Sequence, residues 1–136
     1  MKFLCLICAE KVMEQMTAAA AEQHYREYAE FTASVRKSGR YLGANRLKPP
    51  ATAKTVRVRN GKVLVTDGPF AETKEQFGGY YLIEAADLDE AIQVAARIPG
   101  ARLGCVEVRP VADDAQTLAL ALDAPPSRPA PGNPRQ

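Results

Sequence analysis

The dipeptide Asn60-Gly61, flanked by residues 55–59 (TVRVR) and 62–66 (KVLVT), constrains this chain more tightly than any other stretch. Both flanks alternate, and Asn-Gly accepts the positive φ angles of a two-residue type I′ turn, so the segment predicts a β-hairpin. Its register follows from the turn. Val58 faces Val63 and Val56 faces Val65, which gathers four valines on one face and Arg57, Arg59 and Lys62 on the other. One pair further along, Asp67 points to the valine face, so a carboxylate ends an apolar row.

The pattern around the hairpin supplies the rest of a domain. Residues 3–8 are continuously apolar, as expected of a central strand covered on both faces. Residues 17–38 read as an Ala-rich helix ended by Gly39, with Ala21, His24, Tyr28, Phe31 and Val35 on one face. A strand follows over 41–47 and stops at Lys48-Pro49-Pro50. After the hairpin, Gly68-Pro69 breaks the chain direction and residues 70–76 read as a polar loop. Gly78-Gly79 leads into a strand over 80–85 that is apolar on both faces. Asp87 with Glu90 resembles a capping box, opening a helix with a buried stripe of Leu88, Ala91, Ile92 and Ala95 that Pro99-Gly100 stops. The last strand, 105–109, alternates Val106 and Val108 against Glu107 and Arg109. A terminal helix over 113–124 and a proline-rich, disordered tail over 125–136 complete the reading, beyond a domain that spans 1–112.

This order predicts an α+β fold, a ferredoxin-like βαββαβ sandwich with an inserted hairpin. Two main helices cover one sheet face, yet two strands look apolar on both. The mismatch predicts a partner surface, most simply a second copy packed about a twofold axis.

Composition narrows the function classes. Lys and Arg number 18 against 16 Asp and Glu, a net charge of +2, which gives no basic field for nucleic acid. The N-terminal apolar run stops at Glu10 and Lys11, too short for an export signal, and no stretch approaches a membrane span. A cytoplasmic protein is expected. Of three cysteines, Cys5 and Cys8 should point to opposite faces of a strand, reduced and buried, and only Cys105 and His24 remain to complete a zinc site, without finger-like spacing. No nucleophile motif, phosphate loop or metal-ligand spacing occurs, so no cofactor or metal is expected, and proton transfer or simple binding is left.

Residues 66–84, TDGPFAETKEQFGGYYLIE, resemble the signature of the DGPF, or YCII-related, family, and the likeness extends over roughly 2–111. The resemblance implies a dimeric α+β barrel of ferredoxin-like subunits. It also implies a small-molecule cleft between sheet and first helix, in which a helix histidine pairs with an aspartate. Asp67 matches the aspartate. His24 is the only histidine, while counting back from Gly39 places Tyr28 nearer the family's helix position. Isomerase- or lyase-like proton transfer is one expectation. A non-catalytic module associated with an extracytoplasmic-function sigma factor is the other.

Each candidate residue also has a plainer reading. Asp67 and His24 suit a carboxylate-imidazole pair in which one ring nitrogen is held and the other acts as a base. Asp67 equally suits a turn-fixing acceptor, and His24 a core or interface histidine. Glu72 and Lys74, in the AETKE loop, suit ligand closure or solvated ion pairs. Arg57 suits a cleft mouth or an edge that discourages stray pairing.

Overall fold

Alternation, capping and two tight turns account for most of the elements. The computed structural model describes residues 1–8, 15–70 and 76–112. Nine elements follow in order: β1 (Lys2–Cys8), α1 (Ala18–Lys37), β2 (Tyr41–Arg46), β3 (Lys54–Arg59), β4 (Lys62–Asp67), β5 (Phe77–Glu84), α2 (Leu88–Ala96), α3 (Gly100–Leu103) and β6 (Cys105–Pro110). A short 3₁₀ turn, Pro50–Thr52, separates β2 from β3. The expected terminal helix and tail lie outside the described residues.

Four strands form one antiparallel sheet in the order β2-β5-β1-β6, with β1 and β5 central. With the hairpin set aside, this is the strand order of a ferredoxin-like βαββαβ sandwich. Phe3, Cys5 and Ile7 of β1 and Tyr81 and Ile83 of β5 meet Phe31 and Val35 of α1, together with Ala91, Val94 and Ala95 of α2. Phe3, Ile83 and Ile98 are completely buried, and each such side chain contributes roughly 1.5–3 kcal/mol of burial.

Helix α1 begins and ends where its caps dictate. The Thr17 hydroxyl accepts the Ala20 N–H at 3.1 Å, and Gly39, at φ 78°, takes the left-handed position after the Ser38 cap. His24, Phe31 and Val35 are buried along its inner face, as the helical spacing requires. Helix α2 starts at the expected cap, with Asp87 accepting the Glu90 N–H at 2.9 Å. Glu90 answers by accepting the Ala86 N–H and pairing with Arg40.

The inner stripe of α2 differs from the expected one. Ala91, Val94 and Ala95 are buried, whereas Leu88 and Ile92 are 45% and 48% exposed. Two overlapping stripes fit this helix, and both contain the small Ala91 and Ala95. The rotation that wins turns Val94 toward the sheet, in line with Ile98. Helix α2 ends at Ala96, short of Pro99-Gly100 as expected, and that pair opens the extra turn α3.

β5 starts at Phe77, three residues before the expected Tyr80, because Gly78 and Gly79 join the ladder. A Cβ on Gly79 would lie 2.8 Å from the Asn45 carbonyl oxygen, so glycine lets β2 and β5 approach here. Leu4, Leu6, Tyr80 and Leu82 occupy the opposite sheet face and are half-buried.

The hairpin has the expected register, Val58 to Val63 and Val56 to Val65, with Asn60 at φ 53° and Gly61 at φ 73°. It forms a separate two-stranded sheet. Its four facing valines are 58–66% exposed, so within one chain they pack against nothing substantial.

Candidate functional site

A cleft of about 220 Å³ opens where the ends of β2 and β5 meet the first turns of α1. Tyr25 and Tyr28 descend from the helix, three residues apart and therefore on one side of it. Ala44, Asn45 and Arg46 come from β2, and Gly78, Gly79, Tyr80 and Tyr81 from β5. Two adjacent glycines leave bare backbone where side chains would otherwise stand, and Ile7 of β1 borders the space. Four of the chain's five tyrosines line this one cleft.

Hydrogen bonds hold its walls. The Tyr28 hydroxyl accepts the Gly100 N–H at 3.0 Å, and the Tyr81 and Thr32 hydroxyls share a bond of 2.6 Å. Tyr28 and Tyr81 lie parallel, centroids 6.4 Å apart. Burial pushes the Tyr28 hydroxyl up to about 12 and raises that of Tyr81, so both stay protonated at neutral pH. On the sheet face turned away from α1, the Tyr80 hydroxyl accepts Asn45 Nδ2–H at 2.8 Å. The Arg46 guanidinium sits over the Tyr25 ring, 4.8 Å from its centroid, and among the described residues is the only formally charged group lining the cleft. Among the described residues no carboxylate pairs with it.

Of the residues expected at a site, Tyr28 lines the cleft. His24, one helical turn earlier, does not. It is 4% exposed and edge-on to the Tyr28 ring at 4.9 Å, and its Nε2 makes no hydrogen bond. Burial lowers its pKa below the ordinary 6.5, the Glu27 carboxylate opposes that, and Arg102 adds to it. Asp67 sits at the end of the exposed hairpin, its side chain 85% exposed and ion-paired with Lys54. Within one chain, then, the expected Asp67–His24 pair is not made: one member is sealed in the core and the other is in solvent with a different partner. Arg57 is exposed on the hairpin, opposite Leu64. Glu72 and Lys74 lie outside the described residues.

Arg46, Asn45 and Tyr25 went unread as site residues. A register shift between Tyr41 and Gly43 turns Ala44 and Arg46 to the helix side, where simple alternation from Tyr41 would aim them outward. For Tyr25 a signal existed in its three-residue spacing from Tyr28. Cys8, expected buried, is half-buried, because it faces the uncovered side of the sheet; Cys5, on the helix side, is buried. Among the described residues no three His, Cys, Asp or Glu side chains gather as a metal site would require, and no helix is long and apolar enough to cross a membrane.

The sequence model of the YCII-related domain matches residues 1–114. The chain belongs to the YCII-related domain family. As a YCII-related protein it is 42% identical over 105 residues to an uncharacterised protein of Rhizobium meliloti (strain 1021), covering 76% of this chain and 75% of that one. A solved structure of 5-chloro-2-hydroxyhydroquinone dehydrochlorinase from Burkholderia phenoliruptrix AC1100, in complex with 2,5-dihydroxybenzoquinone, overlaps 85% of this YCII-related chain and 98% of its own. That overlap has a TM-score of 0.48 and 13% sequence identity.

Proposed function

We propose that this YCII-related protein binds a small, planar, anionic molecule in the tyrosine-lined cleft. One observation carries the reading: Arg46, without a carboxylate partner among the described residues, stands at a cavity whose other walls are aromatic rings and bare backbone. Flat rings favour a flat ligand, and the guanidinium favours a negative group.

Among the described residues the lining contains no carboxylate, imidazole or thiol, and its buried tyrosines are poor bases. Isomerase- or lyase-like proton transfer therefore calls for a base that these described lining residues do not supply. Asp67 is the candidate, brought by a second copy of the chain, with Arg57 on the other face of the same hairpin. Exposed valines on that hairpin support a homodimer of the dimeric α+β barrel type, since a partner would bury them.

The test is a thermal-shift screen of small aromatic, aliphatic and uncharged compounds, followed by amide chemical-shift mapping. One-ring planar acids should raise the melting temperature and move the Gly78 and Gly79 amides. Arg46→Ala should weaken that binding about tenfold or more, given the roughly 1.5–3 kcal/mol of a charged hydrogen bond. Binding that is indifferent to Arg46, or shift changes remote from Gly78 and Gly79, would sink the reading.

A further inference from the structure

Cys8 ends β1 and Cys105 begins β6, and the two are direct partners across the antiparallel ladder. Directly opposed residues send their side chains to the same face, here the one that carries Leu4 and Leu6. Both are thiols; Cys105 is exposed and Cys8 half-buried. The third cysteine is separated from them by the sheet itself. Cys5 sits opposite Val108 on the helix side, buried, and burial pushes its thiol up to about 11. The strand pairing thus sorts three cysteines into one sealed residue and one opposed, accessible couple.

The hydrogen-bond phase of the ladder gives the couple its spacing. Val111 N–H donates to the Lys2 carbonyl at 2.9 Å, which makes Lys2 and Val111 a hydrogen-bonded pair. Counting in steps of two along the register places Leu4 with Arg109, Leu6 with Glu107 and Cys8 with Cys105 in the same class. Such pairs hold their Cα atoms about 5.5 Å apart, inside the roughly 4.4–6.8 Å that a disulfide spans. Their Cβ atoms, at the wide end of the roughly 4.5–5.5 Å of opposed residues, must close by about 1 Å or more, and the couple stands at the end of both strands, where the backbone yields most easily.

We propose that Cys8 and Cys105 form a dithiol oxidation site, which hydrogen peroxide converts to a cross-strand disulfide. The Cys105 thiolate attacks one peroxide oxygen; the S–O bond forms, the O–O bond breaks, and the departing hydroxide takes up the thiol's proton as water. The Cys8 thiolate then attacks the Cys105 sulfur, forming the S–S bond and expelling a second hydroxide, which leaves as water with the Cys8 proton. Two thiols are oxidised and one peroxide is reduced to two waters. Because β6 is an edge strand held by β1 alone, the new bond fastens the outermost strand to the middle of the sheet.

The full-length reduced protein, dilute enough to disfavour contacts between chains, is treated with equimolar hydrogen peroxide, blocked with an alkylating reagent under denaturing conditions and digested without reductant. Fragmentation of the linked peptide should place the bond between Cys8 and Cys105 of one chain, with two hydrogens lost, Cys5 alkylated, and the link reversed by dithiothreitol. In Cys8→Ser the reaction should stop at a Cys105 sulfenic acid that dimedone traps. A bond to Cys5, a bond joining two chains, or Cys105 over-oxidised while Cys8 in the unaltered protein still alkylates would overturn the proposal. The unaltered chain alone decides it, whether or not the serine variant folds.

Discussion

Gly100 fixes how closely the α3 turn lies on α1. A Cβ there would stand 2.6 Å from the Tyr28 hydroxyl and 2.7 Å from Ile7 Cγ2. Neither neighbour moves freely, since the hydroxyl is held by the Gly100 N–H and Ile7 belongs to the core. Gly100→Ala should lower stability by roughly 1–3 kcal/mol in urea unfolding, the usual cost of overpacking, and should disturb the Tyr28 wall of the cleft. His24 gives a pH signature with a definite sign. Its folded pKa lies below 6.5 while the unfolded chain keeps the ordinary value, so the unfolded state binds more protons as the solution turns acidic. Its stabilising contribution is complete above pH 6.5 and is lost as pH falls below it, at up to about 1.4 kcal/mol per pH unit. Unfolding midpoints at pH 7.5 and 5.5 should differ less in His24→Phe than in the unaltered chain; equal slopes would refute the assignment. At this scale the sequence was partly legible. Tyr28 could be counted to from Gly39, and His24 to an apolar face. What became of Asp67 could not be read, because alternation says which face a side chain shares and not whether anything covers that face.

Elements were legible wherever a local chemical signal set them. Thr17 and Gly39 bracket α1, Asp87 opens α2, and Asn60-Gly61 dictates the hairpin register. Thr17→Ala should therefore cost about 1 kcal/mol, visible as a lower urea midpoint with an unchanged slope. Legibility failed where tertiary contacts chose between locally equal options. Helix α2 carries two possible apolar stripes, and only the sheet decides that Val94 turns inward while Ile92 stays out. The register shift near Gly43 is likewise absent from any local pattern, yet it carries Arg46 to the cleft. The main gap in the reading of the site is thus one displaced residue in a six-residue strand.

At the level of the whole molecule the strand order followed from simple rules: short antiparallel connections and two helices on one face produce β2-β5-β1-β6. The expected uncovered apolar surface is present, but much of it stands on the hairpin rather than on the flat of the sheet, where Leu4, Leu6, Tyr80 and Leu82 are half-buried. A homodimer held by those valines should appear as twice the chain mass in light scattering at micromolar concentration. Val63→Lys with Val65→Lys should shift it to the monomer while leaving the circular dichroism of the sheet and helices in place. A monomer in the unaltered protein would end the dimer reading. The hairpin pairs with no strand of the main sheet, and the four-stranded order closes without it. The sandwich and the exposed valine row therefore lie in separate stretches of chain. Under the proposed dimer, substitutions within residues 54–67 should alter which molecule this one meets while leaving the sandwich in place, so relatives sharing that sandwich would diverge in assembly through this appendage alone.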